Sequence, residues 1–172
     1  MKIKLGNSMK RMNIPVLLFF TYIAASWMPT AQAEGLPVVR DFTVEAKESI
    51  NKQAPILVLF MSKTCSYCET ALRDFLLPMQ RDPEYNNKVI LRQIEISSKD
   101  QLIDFNGKIT TQSAFAGKHD AWTVPTVMLF DSQGRELTNI VGLLTVDFYL
   151  AYLDNAINES QAKIKAGNKS PM

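Results

Sequence analysis

Strong metal ligands are scarce in this chain of 172 residues, which has two cysteines and one histidine. A structural zinc site takes about four such ligands, and apart from methionine thioethers only His119 is available to join Cys65 and Cys68, so no metal is expected. A covalent haem would want histidine directly after the second cysteine, where Glu69 stands. A scaffold stapled by several disulfides is excluded by the same shortage. Charge of one sign is also missing: 19 basic residues nearly balance 17 acidic ones. Internal repeats and low-complexity segments are absent as well. The longest apolar run, Ile14 to Met28, is shorter than the roughly 20 residues of a membrane-spanning helix, and it contains Pro15, Thr21 and Ser26.

What that run does have is the setting of a secretory leader. Lys2, Lys4, Lys10 and Arg11 precede it with no acid among them, and Ala31 and Ala33 follow with the small-x-small spacing that signal peptidase reads. Residues 1–33 are therefore expected to be a cleaved signal peptide, residues 34–165 a single domain and 166–172 a disordered tail. No cysteine lies near the cut, which excludes a lipid anchor through that residue. Cleavage removes four of the 19 basic residues and none of the 17 acids, turning the net charge from +2 to −2. Nucleic acid and anionic membrane are then poor partners, and no membrane insertion is expected once the leader is gone. The destination is outside the cytoplasm, where disulfides persist.

With 47% hydrophobic residues the domain has material for a real core. DFTVEAKESINK sets Phe42, Ala46 and Ile50 on one helical face with Asp41 as the cap. PILVLFM reads as a strand buried on both faces. CETALRDFLL continues as a helix with Ala71, Leu72, Phe75 and Leu76 as its apolar stripe, until Pro78 kinks or ends it. After a turn at Asp82 and Pro83, KVILRQIEIS is a second strand, Asn106 and Gly107 mark a turn, and a short helix spans about 111–119. VPTVMLF is a third strand, DSQG a hairpin turn and RELTNIVG a fourth strand. Thr145 caps a last helix lined by Phe148, Tyr152, Leu153, Ala156 and Ile157. Strands separated by helices are expected to be parallel, and the final hairpin antiparallel. The outcome is an α/β protein, a central mixed sheet of about four strands with helices on both faces.

Both cysteines sit in KTCSYCETALRDFL, where the first buried strand gives way to a helix. A loop this short stabilises a fold by only about 2 kcal/mol, so a purely structural bridge is a weak explanation. At a helix N-terminus the free N–H groups and the dipole favour an anion, and a thiol there ionises more readily than at its ordinary pKa of about 8.5. Cys65 lies at the mouth and Cys68 one turn inside. This spacing suits exchange in two steps, in which Cys65 attacks a disulfide and Cys68 resolves the mixed disulfide. TVPT heads the third buried strand, a place where proline is either an ordinary trans strand-opener or a cis residue that exposes the preceding backbone to a peptide.

Together these motifs resemble the thioredoxin superfamily over roughly residues 38–160. The leader, LVLFMSKTCSYCE and the DPEY turn look most like exported thioredoxins of Gram-negative bacteria, the SoxW-like proteins associated with sulfur-oxidation gene clusters. The resemblance implies a thioredoxin fold and a thiol-disulfide oxidoreductase, with Cys65 as nucleophile, Cys68 as resolving cysteine, Pro125 as a cis-proline facing them and Val124 offering backbone hydrogen bonds to substrate. Ser66 and Tyr67, in place of Gly-Pro, would tune the redox pair, and Tyr67 is either a substrate contact or a cover for the helix mouth. Thr64 replaces the family's tryptophan and, with Trp122, would border the substrate groove, although for Trp122 a core or packing role takes precedence. The family's buried acid falls on Leu59, which leaves Glu95 as a possible proton acceptor if it faces the site. Residues 98–124 are too few for the helical insertion of periplasmic disulfide oxidases, and too few residues precede the first helix for the dimerisation domain of periplasmic isomerases. The expectation is a periplasmic, monomeric reductase of cysteine-containing proteins, without cofactor, re-reduced by a membrane electron donor. An oxidant that donates disulfides and a binding adaptor with an inert bridge stay open.

Overall fold

The computed structural model describes residues 35–143 and 145–167. The expected leader and the last five residues of the expected tail lie outside them. The chain begins with α1 (Phe42–Lys52), capped by Asp41, whose carboxylate accepts from the Thr43 amide at 2.8 Å and its hydroxyl at 2.7 Å. These bonds use one of the free N–H groups of the helix start and hold the Asp41 carboxyl below its ordinary pKa. The buried face of α1 is Phe42, Glu45 and Ser49, and Ile50 is 63% exposed. The expected face through Ala46 and Ile50 is thus corrected by about one position. The cause is a polar neighbour: Arg92 reaches Glu45 at 2.5 Å and Glu48 at 3.1 Å, while Ser49 donates to the Ala54 carbonyl. A buried charge is tolerated when it is paired, so the helix turns its ion-pairing side inward.

β1 (Ile56–Met61) is wholly buried, as its unbroken apolar run predicts. Alternation sends Leu57 and Leu59 into one core and Ile56, Val58 and Phe60 into another on the opposite face. Next come α2 (Ser66–Thr70), a π-helical turn (Ala71–Leu76) and α3 (Leu77–Arg81), which follow one another directly. Pro78 therefore does not end this helix. It lacks the N–H that would bond four residues back and its ring would clash there, and the wider π turn, in which the Leu77 amide bonds the Leu72 carbonyl, lets the chain continue.

A 3-10 turn (Pro83–Tyr85) leads to β2 (Ile90–Glu95), parallel to β1. The segment after β2 contains an unexpected hairpin, β3 (Gln101–Ile103) and β4 (Ile109–Thr111), around the expected turn at Gly107. Thr111 then caps α4 (Gln112–Lys118) through its hydroxyl. β5 (Thr126–Phe130) pairs antiparallel with β1, contrary to the expectation that helix-separated strands are parallel. The intervening hairpin and α4 stay at the end of the sheet where β2 finishes, with Glu95 opposite Met61, so β5 enters there, with Thr126 opposite Phe60, and runs back. β6 (Glu136–Val141) is antiparallel to β5, and the sheet order is β2-β1-β5-β6. In the turn between them Gly134 has φ 76° and a Cβ there would lie 2.6 Å from the Phe105 ring, so only glycine fits.

α5 (Val146–Gly167) buries Tyr149, Leu153, Ala156, Ile157 and Ser160. Phe148 and Tyr152, expected inside, are 59% and 48% exposed. Apart from Asp147 the first turns of α5 are apolar, so periodicity alone permits either face. The edge contact of Tyr149 with Phe75, at 5.0 Å between centroids, selects the observed one. Among the described residues no helix is long and apolar enough to cross a membrane.

The second core is aromatic. Phe42 stacks on Phe105 and Phe115 at 4.3 and 4.5 Å, and His119 packs against Phe115 and Phe130 at 4.6 and 5.0 Å. Its Nε2 is buried without a hydrogen-bond partner. Burial, with Lys118 adding to it and Glu136 and Asp120 opposing, lowers the His119 pKa from 6.5. The unfolded chain then takes up the proton first, so stability is full above about pH 6.5 and falls as pH drops toward the lower folded value. Urea titrations at pH 7.5 and 5 are expected to show this loss, and His119→Phe to remove it.

Candidate active site

β1 delivers its last residue to a tight turn in which the Cys65 amide donates to the Ser62 carbonyl at 3.1 Å. Cys65 is the cap residue of α2, with extended backbone, and its Sγ accepts from the Cys68 amide at 3.1 Å. Cys65 and Cys68 form a disulfide with Cα atoms 5.2 Å apart. The two sulfurs differ in access. Cys68 is fully buried in the core with Leu59 and Ala71, whereas Cys65 is half-buried at the rim.

The antiparallel register pairs Thr126, at the head of β5, with Phe60, near the end of β1. This brings the 123–125 loop against the cysteines. The Val124–Pro125 peptide bond is cis, and the Val124 carbonyl oxygen lies 3.7 Å from Cys65 Sγ. Two bonds hold the loop: the Gly142 amide donates to the Pro125 carbonyl, and the Thr126 hydroxyl donates to the Thr123 carbonyl, both at 2.7 Å. Gly142 was not anticipated, and only its position at the end of a strand signals it.

Around this centre Thr64 and Ser66 are exposed, and the Thr64 hydroxyl bonds that of Ser62. Tyr67 and Trp122 are each 63% exposed. The Trp122 indole lies over Gly117, where a Cβ would come within 2.8 Å of the ring. Leu59 is fully buried in the same core as Cys68, so no acid occupies that position. Glu95 ends β2 opposite Met61, and its carboxylate accepts from the Lys63 amide at 2.8 Å and the Ser97 hydroxyl at 2.8 Å. Gln112 was missed in the sequence: it is buried and accepts from the Glu95 amide at 2.8 Å, a contact between distant segments that leaves no pattern. Among the described residues no group of three or more His, Cys, Asp or Glu side chains is placed to hold a metal ion.

A profile of the thioredoxin-like domain matches residues 42–157. The chain belongs to the thioredoxin-like domain family. Its four-stranded mixed sheet flanked by helices is an α/β thioredoxin fold. Among solved structures, thioredoxin O2 from Arabidopsis thaliana in its oxidised state is 18% identical, with 72% of this chain and 96% of that one covered and a TM-score of 0.45. A thioredoxin-fold protein from Helicobacter pylori is 20% identical over 66% of this chain and 81% of its own, also at 0.45. The reduced thioredoxin pre-protein of Schistosoma mansoni is 17% identical, covering 72% and 94%, again at 0.45. No curated protein sequence matches the chain.

A thioredoxin-like fold with a disulfide at CxxC spacing supports a thiol-disulfide oxidoreductase type of function. Once the bond is reduced, the amide of Cys68 and the start of the helix would favour a thiolate on Cys65. The half-buried sulfur is also the one a bulky reagent can reach. Iodoacetamide added to the reduced protein near neutral pH is expected to modify Cys65 well before Cys68, as read by mass spectrometry of the peptides. Equal labelling would contradict the difference in access.

Proposed function

We propose that the chain is an exported reductase of protein disulfides. The observation that carries this reading is the Cys65–Cys68 pair at the start of a helix, with its half-buried sulfur facing the Val124 carbonyl beside Pro125. The Cys65 thiolate attacks one sulfur of a substrate disulfide. A new S–S bond forms, the substrate bond breaks and one substrate thiolate leaves. Cys68, as its thiolate, then attacks the Cys65 sulfur, which expels the second substrate thiolate and closes Cys65–Cys68. Two electrons pass to the substrate and the chain ends oxidised.

Pro125 and the backbone of Val124 hold an extended substrate segment beside Cys65, with Thr64 and Trp122 at its border and Tyr67 over the helix mouth. Ser66 and Tyr67 influence how far the thiolate is favoured over the disulfide. The partners are periplasmic proteins with cysteines, and a membrane electron donor of the dithiol class returns the electrons. The protein acts as a monomer after removal of residues 1–33. Export is supported by the basic start, the apolar run and the alanines before the cut. Mass spectrometry of protein from the periplasmic fraction should find a new N-terminus at Glu34, and an intact Met1 would refute cleavage.

Two measurements test the chemistry. Cys68→Ala should accumulate a mixed disulfide with substrate that dithiothreitol releases, while Cys65→Ser should abolish exchange. The reduction potential is expected nearer to the about −270 mV of reducing thioredoxins than to the about −120 mV of a strong oxidant. A value at the oxidising end would make the protein a disulfide donor, and full function after Cys65→Ser would make it an adaptor.

A further inference from the structure

The turn that carries Cys65 is tied from outside. The Lys63 amide, two residues before the cysteine, donates to Glu95 Oε2 at 2.8 Å. Glu95 Oε1 is occupied too, by the Ser97 hydroxyl at 2.8 Å and the Ser97 amide at 3.4 Å. The Glu95 backbone is itself held, because its amide donates to Oε1 of the buried Gln112. Adjacent to it, the Ile96 amide donates to the Met61 carbonyl at 3.0 Å, which locks the ends of β1 and β2 together. A continuous set of bonds thus runs from α4 through the end of β2 to the redox turn.

From this arrangement we propose that Glu95 is a positioning residue: its carboxylate anchors the Lys63 amide and so sets the Ser62–Cys65 turn, which aims Cys65 at the Cys68 amide. The inference deepens the reductase reading and rests on it. Both carboxylate oxygens accept from donors in the turn and at the strand end, which is the arrangement of an anchor. Anchoring requires reach and an acceptor oxygen, and it does not require charge. An amide oxygen at the same reach still accepts from the Lys63 amide, and a carboxylate one methylene shorter does not reach it.

Three substitutions separate reach from charge. Glu95→Gln keeps the reach and loses the charge, Glu95→Asp keeps the charge and loses the reach, and Glu95→Ala loses both. The readouts are the pH profile of Cys65 alkylation by iodoacetamide in the reduced protein and the rate of its attack on 5,5′-dithiobis(2-nitrobenzoate), with thermal melting as the measure of folding. For the loss of one hydrogen bond, Asp and Ala are expected to slow Cys65 about fivefold at fixed pH and to move its profile upward, while Gln stays within about twofold of the parent. Loss in Gln with retention in Asp would show that the charge acts, and would overturn the proposal. Equal loss in all three, or no change in any, would overturn it as well. If Asp or Ala proves unfolded, a slowed but folded Gln variant still refutes anchoring, and one that matches the parent supports it. These readouts use small reagents. A parent that reacts with them but leaves protein disulfides intact would therefore refute the reductase reading and leave the role of Glu95 standing on its own result.

Discussion

The antiparallel ladder between β1 and β5 is the constraint on which the site depends. β1 ends where the redox turn begins, and only a strand running the opposite way can start at that same end of the sheet. Were β5 parallel to β1, Pro125 would enter at the far edge, a full strand length from Cys65. The hairpin β3–β4 and the helix α4 are what make the reversal possible, because they carry the chain from the end of β2 to the head of β5. A segment that looks like an elongated connection is therefore part of the machinery that joins two distant motifs.

Burial divides labour within the cysteine pair. One sulfur belongs to the core and the other to the rim, although only two residues separate them. The difference arises from the cap position itself: Cys65 has extended backbone and stands outside the helix, while Cys68 is a turn inside and faces the sheet. With Leu59 beneath it, the inner thiol has an apolar surrounding, which raises the cost of ionising it. The outer thiol has an N–H donor and the start of a helix, which lower that cost.

Much of this was legible in the residues. CSYC between a continuous apolar run and an amphipathic stretch located the cysteines at a strand-to-helix junction, and the proline in TVPT located the facing loop. Each strand of the main sheet was also readable, since a run such as ILVLFM has few alternatives. What escaped was information carried by partners distant in the chain. Strand direction depends on how a connection folds, and the inner face of α1 depends on Arg92, 50 residues after Phe42. The inner face of α5 was hidden for a different reason: its first turns carry apolar side chains on more than one face, so partners distant in the chain decide, among them Phe75 against Tyr149 and Tyr85 bonded to Asp154. Gln112 illustrates the limit, since a side chain that bonds a remote backbone amide leaves no trace in spacing.

The π turn before Pro78 has a bearing on how this helix tolerates change in length. Each residue of an α-helix advances the side chains by about 100°, so one surplus residue in a turn rotates everything beyond it by that much. Cys68, Ala71 and Leu72 on one side and Leu76, Leu77 and Met79 on the other nevertheless belong to one core. Deleting one residue within Ala71–Leu76 would turn the redox half by about 100° against the distal half and draw one of them off that core. An insertion after Arg81, beyond the π turn, would leave their alignment intact.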